Sequence, residues 1–196
     1  MKNSLVVFGI IAAIVVVLGG WIISQRNALI ALDEDVNEAW SNIDTDLQRR
    51  NDLIPNLVAT VKGYATHEEE VFTGIADARG RLAGATTMQE KAEADATLTA
   101  GLGRLLAIAE NYPELKANEG FLRLQDELAG TENRIKVTRK RYNQDVKTFN
   151  RTIRQFPGSL FAGNLPFIGL NLEPREYFEP PEGHDAVVKA PKVSFD

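Results

Sequence analysis

The chain has 196 residues, no cysteine and a formal charge of −5, which excludes disulfides, thiolate metal sites and lipid attachment through cysteine. Its acidic balance, with a pI near 5.2, sets nucleic acid aside as a partner, because binding phosphates needs concentrated positive charge. The length suits one domain once any targeting segment is removed.

Leu5 to Ile23 is an uncharged apolar run between Lys2 and Arg26. At about 1.5 Å per residue it reaches roughly 28 Å, enough for the hydrocarbon core of a bilayer. A cleaved secretory signal has a shorter apolar region, about 7–15 residues, ending in an A-x-A-like site. Here Gly19, Gly20, Trp21 and Ile22 lead on towards Arg26 instead, and Trp21 suits the water interface. Residues 1–25 therefore read as an uncleaved membrane anchor, with the bilayer as partner through residues 5–23. Lys2 and the terminal amine weigh against Arg26 alone, so orientation leans towards a body outside the cytoplasm. Gly9 and Ala13 make a small-xxx-small step, read as ordinary span composition.

Residues 26–157 carry the periodicity of a helical bundle. Leu29, Val36, Ile43, Leu57 and Tyr64 form one series of sevens, with Trp40, Leu47, Ile54 and Val61 four residues after its later members. Arg50 interrupts that apolar series, and a buried cation needs either a route to the edge or an acid on another helix. Glu132 is a candidate for that acid. Pro55 lies within the same pattern and predicts a kink or local unwinding, since it lacks an N–H and its ring strikes the carbonyl of Asn51. The polar residues around it, Arg49 and Asp52 among them, make a candidate docking cluster, with a structural role preferred.

Thr66 and Glu69 fit a capping box that opens a short helix carrying Val71, Phe72, Ile75, Ala78 and Leu82. Its pattern is lost at Gly80 to Thr87. A second short helix over Met88 to Asn111 puts Leu98, Leu102, Leu105, Ala109 and Tyr112 on one side, and Pro113 ends it. Asn118 caps a long helix over Glu119 to Phe156. There Phe121, Leu128, Ile135, Tyr142, Phe149 and Phe156 repeat in sevens. The residues four further on are Gln125, Glu132, Arg139, Val146 and Ile153, so this companion series is polar in its first half and apolar in its second. The polar half reads as hydrogen-bonded positions that fix which helix faces which; an ion or ligand site is the alternative.

Pro157-Gly158 stops the helix. Residues 158–178 form an apolar tail with Leu160, Phe161, Leu165, Phe167, Ile168, Leu170 and Leu172, expected to pack on the bundle, with contact to lipid or a partner as the alternative. Residues 179–196 are Pro-rich and polar, and read as a mobile C-terminus.

The motifs of the common bundle chemistries are missing. Glu-x-x-His di-iron ligation fails because Tyr64 and Pro181 precede His67 and His184 by three residues, and HExxH fails at Val71. Neither a phosphate-binding P-loop nor a G-x-S-x-G elbow occurs. His67, Glu68, Glu69 and Glu70 read as helix-start residues. No catalytic residue, cofactor or metal is expected, and the candidate structural or docking cluster comprises Arg49, Arg50, Asp52, Pro55, Gln125, Glu132 and Arg139.

Several longer stretches are distinctive. Asn37-Glu38-Ala39-Trp40-Ser41, Arg49-Arg50-Asn51-Asp52-Leu53-Ile54-Pro55-Asn56-Leu57-Val58, Val61-Lys62-Gly63-Tyr64-Ala65-Thr66-His67-Glu68, Tyr112-Pro113-Glu114-Leu115-Lys116-Ala117-Asn118, Thr131-Glu132-Asn133-Arg134-Ile135 and Arg141-Tyr142-Asn143 resemble the LemA family from the anchor to about Phe178. Gly120 departs from the family pattern, which commonly has a larger polar residue there. The resemblance implies a bacterial membrane protein with one N-terminal span, a helical body and no agreed enzymatic activity. Members are often encoded near a membrane metalloprotease, and a branch occurs in magnetosome membranes.

The expected fold is all-α, an elongated antiparallel bundle of two long and two short helices on a single transmembrane helix. A three-column form with the short helices collinear is the alternative. The expected function is a non-enzymatic scaffold or adaptor in the bacterial cytoplasmic membrane, a homo-oligomer or a binder of other membrane proteins. The alternative is a ligand- or metal-responsive domain regulating a membrane protease or kinase.

Overall fold

The computed structural model describes residues 2–65 and 67–179. These residues are all-α, with helices α1 Lys2–Lys62, α2 Glu69–Gly84, α3 Met88–Ala109, α4 Pro113–Lys116, α5 Glu119–Arg154 and α6 Gly158–Ala162, and no strand among them. The anchor and the first long bundle helix are therefore one continuous helix. Of the kink or local unwinding expected at Pro55, the unwinding does not occur, since α1 runs through it. Ile54, Leu57 and Val61 are buried beside it. Burial of about 1.5–3 kcal/mol for each outweighs the hydrogen bond that proline removes.

Two compact units divide the chain, one of residues 1–40 and 141–176, the other of residues 41–140 and 177–196. In the second, four helices pack. Asp44 and Arg50 of α1 meet Lys91 and Asp95 of α3 in the same chain direction. Asn118, at the head of α5, bonds Tyr64 near the end of α1, while Arg134 and Thr138 reach back to Asp46. Thus α5 runs against α1. Between them α2 and α3 form an antiparallel hairpin across residues 85–87, since the start of α2 and the end of α3 line one cleft and their opposite ends another. The direction alternates from each helix to the next, as in an up-and-down bundle. The collinear alternative is excluded.

The α1 seam is where the periodicity put it, with Ile43, Leu47, Ile54, Leu57 and Val61 buried. The seam of α5 differs from expectation in its first half. Thr131 is fully buried and Leu124 half-buried, whereas Glu132 is only half-buried and Gln125 exposed; Thr138 and Arg139 are both half-buried. The companion positions there lie three residues after the sevens, and shift to four at Val146 and Ile153. An α-helix drifts about 20° per heptad against a period of seven, so a straight stripe must change its offset along a helix of this length.

Caps set the helix starts. Asn118 Oδ1 accepts from Phe121 N at 3.0 Å, as expected. The predicted Thr66 cap lies outside the described residues, and α2 begins at Glu69 with Glu68 at its N-cap making no side-chain cap bond. At α3, Thr87 and Glu90 form a capping box, a T-x-x-E signal present in the sequence. The Glu90 carboxyl is held below its ordinary 4.5 chiefly by the Thr87 backbone N–H, then by that of Thr86. This depression makes its contribution present above the unfolded value and lost as pH falls through the folded one. Protection of the first-turn amides of α3, relative to their intrinsic exchange rates at each pH, should therefore fall on acidification below 4.5, and Thr87→Ala should destabilise α3 by about 1 kcal/mol.

In the first unit, α1 residues 5–18 are all exposed, and their window is long and apolar enough to cross a membrane. Leu29, Val36 and Ala39 are buried, as are Tyr142, Val146, Phe149 and Ile153 of α5, and the Trp40 and Tyr142 rings lie 6.0 Å apart. Phe156, expected in the seam, is 77% exposed because α5 ends at Arg154. The chain turns sharply into α6. A Cβ at Gly158 would collide with the Thr152 carbonyl oxygen, so glycine is required for the turn.

Candidate functional site

The predicted cluster divides on inspection. Arg49 and Asp52 are exposed and Pro55 is half-buried beside them on α1, and Gln125 is exposed on α5. Arg50, Glu132 and Arg139 come together, but around a residue that the sequence reading missed. Arg50 is 3% exposed, and its Nη1 donates to Asp95 Oδ1 at 2.7 Å. The direct acid partner is thus Asp95 rather than Glu132. Glu132 pairs with Lys136 at 2.8 Å, one turn along its own helix, where the two meet with no reach across the bundle.

Asp95 carried the signal that singled out Arg50. It precedes Leu98 by three residues and Leu102 by seven, so it is the acid in the apolar stripe of α3. The alanine-rich surroundings, Ala92 and Ala94 both buried, bring the α3 backbone close enough for a short carboxylate to reach the guanidinium. Burial pushes the Asp95 carboxyl above the usual 3.8, opposed by Arg50 and more weakly by Arg139, while Glu132 adds to the rise. The Glu132 carboxyl is held below 4.5, first by the hydrogen bond from Lys136 and also by the field of Arg50. Two acids and two arginines from three helices therefore share one electrostatic neighbourhood.

Further ion pairs tie α1 to its neighbours in the same unit. Asp44 pairs with Lys91, and Asp46 receives Arg134 at 3.6 Å and the Thr138 hydroxyl at 3.2 Å. A cleft of about 290 Å³ beside them is lined by Asp44, Gln48, Asn51, Asp52 and Lys91. Among the described residues no group of three or more His, Asp or Glu side chains is placed to hold a metal ion. What the arrangement can do chemically is set helix register, because a buried Arg–Asp pair penalises a rotation of α1 or α3 that separates them.

The first unit has a polar lock of its own. Asn150, 6% exposed, donates from Nδ2 to the Arg175 carbonyl and accepts the Arg175 N–H at Oδ1, each at 2.8 Å. The Tyr142 hydroxyl donates to the Glu176 carbonyl at 2.8 Å. Burial pushes that phenol up to about 12, so it stays a donor. The Arg175 guanidinium in turn reaches Asp33 at 2.8 Å and Asn37. One extended tail segment is thus clasped by side chains of α1 and α5. Its signal in the sequence was faint, since Asn150 reads as an unremarkable polar residue beside Phe149.

The chain is similar to proteins of magnetosome-forming bacteria and of a mycoplasma. It is 25% identical over 198 residues to the magnetosome protein MamQ of Magnetospirillum gryphiswaldense, covering 88% of this chain and 71% of that one. The magnetosome protein MamQ 2 of Paramagnetospirillum magneticum is 24% identical over the same shares. The protein LemA of Metamycoplasma hominis is 25% identical over 144 residues, 73% of this chain and 66% of its own length. The LemA family model matches residues 39–195, a range that takes in Arg50, Asp95, the whole of α5 and the clasped tail. The chain belongs to the LemA family.

Proposed function

We propose that the protein is a single-pass protein of the bacterial cytoplasmic membrane that acts without catalysis, as a scaffold or adaptor binding copies of itself or other membrane proteins. The observation that carries this reading is the use of the charged groups at the candidate site. Arg50, Asp95, Asp44, Asp46 and Glu132 are engaged with neighbouring helices or their own helix, which is the pattern of a register device rather than of a reacting centre. The wholly exposed apolar segment of α1 supplies the membrane attachment, since a surface of this kind does not remain in water. Relatives named for the magnetosome, a cellular structure rather than a reaction, fit the same reading.

The body is proposed to lie outside the cytoplasm. Because the chain has no cysteine, an introduced Asp77→Cys, exposed on α2, should react with an impermeant maleimide in intact spheroplasts; labelling only after lysis would place the body inside. Cross-linking at native expression should yield homo-oligomers or a defined membrane-protein neighbour. A protein that stayed monomeric and captured nothing would sink the scaffold.

A further inference from the structure

We infer that the loop around α6 inserts into the interfacial zone of an anionic bilayer, beside the point where α1 leaves it. This rests on α1 being the membrane span. The loop, α6 and the start of α1 belong to the same compact unit. Phe161 of α6 is buried against Trp21 at the end of the apolar run, with ring centroids 5.8 Å apart at 68°. That contact fixes the loop at the height of Trp21, a residue suited to the headgroup level.

The loop is built rather than trailing. Leu170 N donates to Phe161 O and Leu172 N to Ala162 O, each at 2.8 Å, and Gly169 N closes a turn on Leu165 O at 2.8 Å. A Cβ at Gly169 would strike the Gly163 and Leu165 backbone. At this pinned turn Leu165 is exposed and Phe167 is 99% exposed, and Phe156 and Leu160, earlier in the same segment, are exposed as well. Phe167 also adopts φ 70, a left-handed conformation that a non-glycine residue holds only at some energetic expense.

Charge selects lipid over other apolar partners. Residues 146–172 contain Lys147, Arg151 and Arg154 and no acid, a local charge of 3 − 0 = +3 in a chain of net −5. Spaced by four and three, these cations share one exposed stripe over the last two turns of α5. Apolar side chains flanked by basic ones match the acyl boundary and anionic headgroups of a bilayer.

The test uses the full chain, reconstituted in phosphatidylcholine vesicles with and without phosphatidylglycerol, carrying single spin labels on introduced cysteines. Leu165→Cys and Phe167→Cys report the loop, Val15→Cys the span and Asp77→Cys an aqueous reference. The ratio of oxygen to nickel-chelate collision should be several-fold higher at both loop positions than at Asp77→Cys, and highest at Val15→Cys. It should fall at the loop when phosphatidylglycerol is omitted, or in an Arg151→Gln, Arg154→Gln background. A lipid signal at Val15→Cys with an aqueous one at both loop positions would overturn the inference and leave the span standing. An aqueous signal at Val15→Cys would overturn the span itself. Loop labels shielded from both reagents would show a protein covering the patch, and a loop signal indifferent to anionic lipid and to both arginines would overturn the headgroup selectivity.

Discussion

Replacing Asp95 with alanine is expected to destabilise the bundle by about 3–5 kcal/mol, because it leaves the buried Arg50 guanidinium without its hydrogen-bonded acid. Among the described residues Arg50 has no ion pair besides the one with Asp95, and its Nε already lacks a hydrogen-bond partner. Restoring an apolar pair should reverse the loss: Arg50→Met with Asp95→Leu is expected to recover most of the stability, since removal of both charges also removes their desolvation. Urea unfolding of the detergent-solubilised chain, followed by circular dichroism, measures all three variants. If Asp95→Ala were neutral, the pair would have no structural role. The pH dependence has a definite sign. Burial raises the folded Asp95 carboxyl above 3.8, so the folded state holds that proton more tightly and stability falls as pH rises from 3.8 through the raised value. Asp95→Asn should abolish that part of the slope.

Asn150→Ala is the second large effect. It removes both hydrogen bonds to the Arg175 backbone, and at about 1 kcal/mol net for each the tail should loosen by roughly 2 kcal/mol. The Arg175 amide should then exchange about thirtyfold faster, the factor that 2 kcal/mol represents at room temperature, and trypsin should cut after Arg175 more quickly. Asn150→Asp keeps the acceptor and loses the donor, so an intermediate result is expected. Tyr142→Phe, which removes a single bond to Glu176, should cost about half as much. Unchanged exchange at Arg175 in Asn150→Ala would show that Asp33 and Asn37 hold the segment by themselves.

The two effects concern different units and act through different physics. The Arg50–Asp95 pair is costly to break because a buried charge has no alternative solvent. The Asn150 clasp joins a side chain to backbone groups that water can also reach, so its loss is local and modest. A change in stability together with unchanged tail exchange therefore identifies the first, and the reverse identifies the second.

The helical class, the apolar N-terminal run, the seam of α1, the Asn118 cap and the family were legible in the residues alone, because each is written in local periodicity or in residues adjacent along the chain. The sequence also marked Arg50 as an anomaly needing an acid. That the acid is Asp95 depends on how the helices pack: both residues are visible as faults in apolar stripes, yet nothing local says which stripes meet. The offset change along α5 was hidden for a related reason, since the drift of a 3.6-residue helix against a repeat of seven is resolved by what the helix packs on. The tail divided likewise. Its apolar character was legible, but burial of Phe161 against Trp21 and exposure of Phe167 depend on a turn closed by backbone hydrogen bonds, which side-chain patterns do not encode.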